Sequence, residues 1–100
     1  MEYRIEDATE DSAIVHFNGN ITFSENVRFK QLLSDLSDKE IDSVIFNLEN
    51  VEMVDSSGLG MFQIAKEHAD NANWKLRVEG ASGHVAGLFK LTKLTDILTR

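Results

Sequence analysis

Val54-Asp55-Ser56-Ser57-Gly58-Leu59-Gly60 is the stretch from which the fold is read. Before it stands the apolar run Val44-Ile45-Phe46-Asn47-Leu48, followed by the short turn Glu49-Asn50-Val51. Behind it a helical pattern opens at Leu59. A buried strand handing over to a helix is the repeating step of an α/β chain. The junction itself is over-supplied. One helix N-cap needs one hydroxyl or carboxylate, yet Asp55, Ser56 and Ser57 stand in a row, and each is a good cap. Two glycines then flank Leu59, although glycine inside a helical turn costs up to about 1 kcal/mol relative to alanine. A bare helix start gains nothing from this, so the stretch predicts a close backbone approach or a deliberately small surface.

Working outward, the flanks supply an ordered set of elements. Tyr3-Arg4-Ile5-Glu6-Asp7 alternates and reads as a strand, and Ala13-Ile14-Val15-His16-Phe17 reads as a stronger one. The polar turn Thr9–Ser12 joins them as a hairpin, and Gly19-Asn20 ends the second with unusual backbone angles. Thr22-Phe23-Ser24-Glu25 fits a capping box, with Ser24 as a rival cap. Phe29, Leu32, Leu33 and Leu36 recur at helical spacing up to Ser37, leaving Asp35, Asp38 and Glu40 to water. Ser43–Leu48 is nearly continuous in apolar residues and predicts a strand covered on both faces. A second helix is expected from about Gly58 to Asn71, with Leu59, Phe62, Ala65 and Ala69 in the core and Met61 and Ile64 widening the stripe. Trp74–Val78 alternates as a strand, with Trp74 in the core. After the turn Gly80–Gly83, Ser82 caps a third helix carrying Val85, Leu88, Phe89 and Thr92, with Lys90 and Lys93 near its C-terminus. Leu94–Leu98 forms a short final helix or a frayed end. The order β-β-α-β-α-β-α predicts an α/β fold with a mixed sheet of about four strands and helices mainly on one face.

Composition narrows the function. One hundred residues without a proline, a Gly/Ser linker or an internal repeat are expected to be one domain, 1–100. Asp and Glu number 17 against 10 Lys and Arg, a net charge of −7, so nucleic acid and anionic membrane are poor partners. With no cysteine there is no disulfide, thiol nucleophile or thiolate metal site. No segment is long and apolar enough for membrane insertion, and the acidic start is no signal peptide, so a cytoplasmic location is expected. His16, His68 and His84 fall on different elements with no metal spacing. Glu6-Asp7 and Glu10-Asp11 read as solubilising charge in a turn. Ser56 lacks an identifiable base and a nucleophile elbow, and no Lys-Ser/Thr follows the glycines as in a phosphate loop, so the chain is not expected to be an enzyme. A serine at a helix start does suit phosphorylation, because backbone N–H groups and the dipole favour an added anion.

Asp55-Ser56-Ser57-Gly58-Leu59-Gly60, behind Val44–Leu48 and its turn, resembles the signature of STAS domains, in particular the single-domain anti-sigma factor antagonists. The likeness extends to length, element order and the Phe17-Asn18-Gly19 end of the second strand. It implies a STAS-like sheet and places the phosphoacceptor at Ser56, with Ser57 as second choice. It implies as partners a serine kinase of the histidine-kinase-like ATPase fold, acting as anti-sigma factor, and a PP2C-type phosphatase. The unphosphorylated form binds the kinase or a downstream target, and the phosphorylated form releases it. The ATP belongs to the kinase, so no cofactor is expected here. The docking face so implied comprises Asp55, Ser56, Ser57, Gly58, Leu59 and Gly60 with Asn20 and Thr22 of the loop after the second strand. Asp55 orients the serine or its loop, Ser57 helps to cap the helix, and Met61 is either core or a partly exposed contact. Where the family commonly carries an acidic residue, a hydrophobic one and an Asp, this chain has Asn20, Ile21 and Thr22, a departure that bears on partner choice. Some single-domain members control biofilm or motility rather than a sigma factor. The alternative is a constitutive STAS scaffold in a transport or stress-sensing complex, with Ser56 structural.

Overall fold

The computed structural model describes residues 1–92 together with Leu94 and Ile97. Its elements are β1 (Glu2–Thr9), β2 (Ser12–Asn18), a 3-10 turn (Phe23–Glu25), α1 (Asn26–Ser37), β3 (Ser43–Asn50), α2 (Ser56–Ala72), β4 (Lys75–Glu79) and α3 (Gly83–Lys90). The strands lie side by side in the order β1-β2-β3-β4. β1 and β2 form an antiparallel hairpin, whereas β2–β3 and β3–β4 are parallel. Each parallel pair is joined through a helix, as parallel strands require. α1 and α2 therefore both run back along the sheet in the same direction.

The register puts Val15 beside Phe46, and Phe46 beside Val78, in one inward row. All the fully buried strand residues, from Ala13 to Val78, share that face. Phe29, Leu32, Leu33 and Leu36 of α1 and Leu59, Phe62, Ala65 and Ala69 of α2 close over it, as their spacing predicts. Five phenylalanines join the layers. Phe17 meets Phe46 edge-on at 5.1 Å, and Phe62 meets Phe29 at 5.6 Å and Phe89 at 5.2 Å. Edge-to-face pairs of this kind add to the gain from burial alone. Trp74 is buried just ahead of β4, and Ser82 Oγ accepts from Val85 N–H at 3.4 Å to cap α3.

Four local expectations are corrected. β3 is not covered on both faces: Val44, Phe46 and Leu48 are buried, while Ser43, Ile45 and Asn47 are half-buried on the helix-free side. Its apolar run reflects β propensity and partial cover, not a second helical layer. The capping box does not form. Thr22 Oγ1 bonds Ser24 Oγ at 2.9 Å, Glu25 Oε1 holds the Met1 amino group at 2.7 Å, and α1 starts only at Asn26. Asp35 does not face water freely, because its carboxylate accepts from Tyr3 Oη at 3.0 Å. Glu6 and Asp7 lie in β1, not in a turn. Glu6 Oε1 meets His16 Nε2 at 2.6 Å and Asp7 meets Lys39 at 3.1 Å.

At the C-terminal end, α3 stops at Lys90, so Thr92 lies in a turn rather than in the helix, with its hydroxyl donating to Phe89 O at 3.0 Å. Leu94 and Ile97 are buried, and Ile97 N–H donates to Leu94 O at 3.1 Å. Lys93 and the remainder of the expected Leu94–Leu98 helix lie outside the described residues. Among the described residues no helix is long and apolar enough to cross a membrane.

Candidate functional site

The site is built where the chain leaves β2 and β3, two adjacent parallel strands, at their C-terminal ends. Loops at that end of a parallel sheet are the usual place for function in open α/β folds. Gly19, with φ +92°, turns the chain out of β2. The loop that follows is stitched to the one leaving β3. Gly19 N–H donates to Asn50 O at 3.3 Å, and Ile21 N–H to Met53 O at 3.0 Å. Asp55 N–H donates to Ile21 O at 3.2 Å, and Ile21 pairs with Val54 as a short parallel bridge. Ile21, Val51 and Val54 are buried beneath this seam. The fold thus brings Asn20 and Thr22 beside Asp55–Gly60, 33 or more positions along the chain.

The redundancy of caps resolves here. Asp55 is the N-cap, in extended conformation, and its Oδ1 accepts from Gly58 N–H at 2.7 Å. α2 consequently begins at Ser56, two residues before the expected Gly58, and it ends at Ala72, one residue past the expected Asn71. Ser57 does not cap the helix, because Asp55 already occupies that role. Ser56 and Ser57 are exposed in the first turn, with their hydroxyls available to a partner. First-turn N–H groups and the helix dipole surround them with partial positive charge.

The two glycines do different work. A Cβ on Gly58 would collide with the Ile21 carbonyl oxygen and come within 2.8 Å of Val54 Cγ1. Gly58 is therefore the close approach that lets α2 sit against the Ile21 loop. A Cβ on Gly60 would meet nothing within 4 Å, so Gly60 only keeps the surface low. Gly58 and Leu59 face inward, whereas Asn20, Ser56 and Ser57 are exposed and Thr22 and Gly60 are half-buried. Met61 is 6% exposed and belongs to the core.

Sequence reading missed an apolar groove beside this loop. It lies between α1 and α2, has a volume of about 390 Å³, and is walled by Phe23, Leu33, Met61 and Ile64, with Ser57 and Gly60 on its α2 side. Phe23 is 65% exposed, and Ile64, expected to widen the core stripe, is 51% exposed. A large apolar residue inside the polar run Thr22–Glu25 was the available signal; placing it outside the core required the tertiary fold.

The histidines do not converge on Ser56. His16 pairs with Glu6 on the helix-free side of the sheet, His68 Nε2 meets Ser37 Oγ at 2.7 Å, and His84 is exposed on α3. The arrangement supplies an accessible hydroxyl on a pre-formed helix start, and none of the three histidines stands beside it as a base.

A small mixed sheet with helices on one face, and an Asp-Ser-Ser-Gly helix start docked to the β2 loop, define the class, and the family comparison agrees. The STAS domain family model matches residues 3–100, and this chain belongs to that family. An anti-sigma-B factor antagonist of Staphylococcus aureus (strain NCTC 8325 / PS 47) is 27% identical over 99 residues, covering 98% of this chain and 92% of the relative. Two solved structures share the fold. The anti-sigma factor antagonist SpoIIAA in its unphosphorylated form superposes with a TM-score of 0.80 at 17% identity, covering 98% of this chain and 86% of that one. The Bacillus cell fate determinant SpoIIAA in its phosphorylated form superposes with a TM-score of 0.77 at 15% identity, covering 98% and 89%.

Proposed function

We propose that this chain is a phosphorylation-controlled binding protein of the anti-sigma factor antagonist kind, acting without catalysis of its own. Ser56 is the acceptor. The observation that carries the reading is the exposed Ser56 hydroxyl at the first residue of α2, on a helix start already fixed by the Asp55 cap and the Ile21 seam. A phosphate there adds roughly −1.5 to −2 charge at a helix N-terminus, where the fold tolerates it. The modification then acts on docking and not on folding. Support comes also from the curated relative, an anti-sigma-B factor antagonist, and from SpoIIAA, which has been solved both with and without phosphate.

In this reading the docking face consists of Ser56, Ser57 and Gly60 with Asn20 and Thr22, while Asp55, Gly58 and Leu59 hold it from beneath. Its partners are a serine kinase of the histidine-kinase-like ATPase fold and a PP2C-type phosphatase, which places the chain in the cytoplasm with the kinase's ATP. Whether the output is a sigma factor, biofilm or motility follows from the target bound by the unphosphorylated form. The experiment is incubation with the candidate kinase and ATP, site mapping by mass spectrometry, and binding measurements on Ser56→Ala and Ser56→Asp. Phosphate on Ser56 and weaker kinase binding by Ser56→Asp than by Ser56→Ala are expected. Equal binding by the two variants, with no phosphate on either serine, would favour the constitutive scaffold.

A further inference from the structure

The groove between α1 and α2 has a chemistry of its own. On α1 it is lined by residues spaced over two turns, Phe29, Lys30 and Leu33 among them, and on α2 by Gly60, Met61 and Ile64. Lined positions run from 26 to 33 and from 57 to 64, a length of about 10 Å at the rise of an α-helix. Among the described residues Lys30 is the only charged side chain on its lining, in a chain where acids outnumber bases 17 to 10. Lys30 is exposed and pairs with no carboxylate among the described residues. Nothing fills the space above Gly60, and Ile64 stands half out of the core at its edge. An apolar trough with one unpaired ammonium is complementary to a molecule with one apolar tail and one anionic head. Pockets of this volume fall in the range that holds small ligands.

We propose that this groove binds a straight-chain aliphatic carboxylate of about octanoate length, its tail lying over the floor of Phe29, Leu33 and Met61 between the exposed Phe23 and Ile64, and its head paired with Lys30. The groove borders the docking face at Ser57 and Gly60, but the proposal does not rest on the phosphorylation reading, since it needs neither a kinase nor Ser56. The tail contributes by removing apolar surface from water, and the head selects sign.

The test is a titration of the full chain with sodium octanoate, followed by amide chemical shifts, with octylamine hydrochloride as the charge-reversed control. Saturable shifts confined to groove amides, including Lys30, Gly60 and Ile64, are expected with octanoate, and at least about fivefold weaker binding with octylamine. Lys30→Glu is expected to reverse that preference. Ile64→Asp is expected to abolish octanoate binding, and because Ile64 is 51% exposed the fold persists, as its unchanged circular dichroism will show. Octanoate shifts that never saturate, or octylamine binding equally well, overturn the proposal. Groove amides that move with protein concentration alone also overturn it, and assign the groove to a second copy of the chain.

Discussion

Gly58→Ala and Gly60→Ala, two positions apart in one helix, are expected to change stability in opposite directions. Helix propensity alone favours both substitutions, by up to about 1 kcal/mol each. At Gly60 a methyl group meets nothing within 4 Å, so the gain survives and the variant is more stable by about 0.5–1 kcal/mol. At Gly58 the methyl collides with the Ile21 carbonyl oxygen and stands within 2.8 Å of Val54 Cγ1. A backbone carbonyl cannot swing aside as a side chain does. Either α2 lifts or the Ile21 loop moves, and overpacking of this kind costs about 1–3 kcal/mol. The loop is held by the Ile21 N–H to Met53 O and Asp55 N–H to Ile21 O hydrogen bonds, each worth about 0.5–1.5 kcal/mol. With those bonds strained to about half their worth, the overpacking less the propensity gain leaves a loss of about 2 kcal/mol. For a chain of this size that lowers Tm by roughly 10 °C. Urea denaturation of both variants, with hydrogen exchange at the Ile21 and Asp55 amides, measures it. Gly58→Ala as stable as the parent, or both variants shifting alike, would refute the close approach as the reason for glycine at 58.

Further expectations concern the cap, the core and pH. Asp55→Ala removes the acceptor for Gly58 N–H and should cost about 1 kcal/mol, with Asp55→Asn recovering most of it, as read from denaturant midpoints. Phe62→Ala empties the centre of the aromatic cluster and should cost about 3–5 kcal/mol, a large share of total stability, visible as a loss of cooperative unfolding near ambient temperature. Burial, and then the hydrogen bond and charge of Asp35, hold the Tyr3 phenol above its ordinary value of 10.0, against the pull of Arg28. The folded state therefore favours the neutral phenol, so the contribution is full below about pH 10 and is lost as pH rises through the raised folded value. Tyr3→Phe should flatten the alkaline limb of the stability profile above about pH 10; an unchanged slope would show that Tyr3 does not carry it.

Much of the architecture was legible because the helices α1 and α2 and the strands β2 and β4 announce their buried side by period. Phe29, Leu32, Leu33 and Leu36 are buried as their spacing requires, and so are Val15, Phe17, Leu76 and Val78. Two of the failures share a cause: the partner of the side chain stands far along the chain, beyond the reach of a local reading. Glu25 could have closed a capping box on Thr22 but instead meets Met1, and Asp35 could have faced water but instead meets Tyr3. β3 was read as doubly covered because hydrophobicity records that a residue is apolar, not how many layers lie above it. The site divided in the same way. Asp55 as cap could be expected from residue type, but choosing it over Ser56 and Ser57 depended on which side chain reaches Gly58 N–H.

What the sequence by itself determined is the order of elements, the inward faces of β2, β4, α1 and α2, and the junction at Asp55–Gly60, since all of these follow from local propensity and periodicity. Only the tertiary structure decided why two glycines stand there. One is demanded by the Ile21 carbonyl, which belongs to a loop 37 residues earlier, and the other opens toward the groove between two helices. Contacts between distant segments are set by how strands align and helices pack, and no local pattern in the sequence encodes the distance between Ile21 and Gly58.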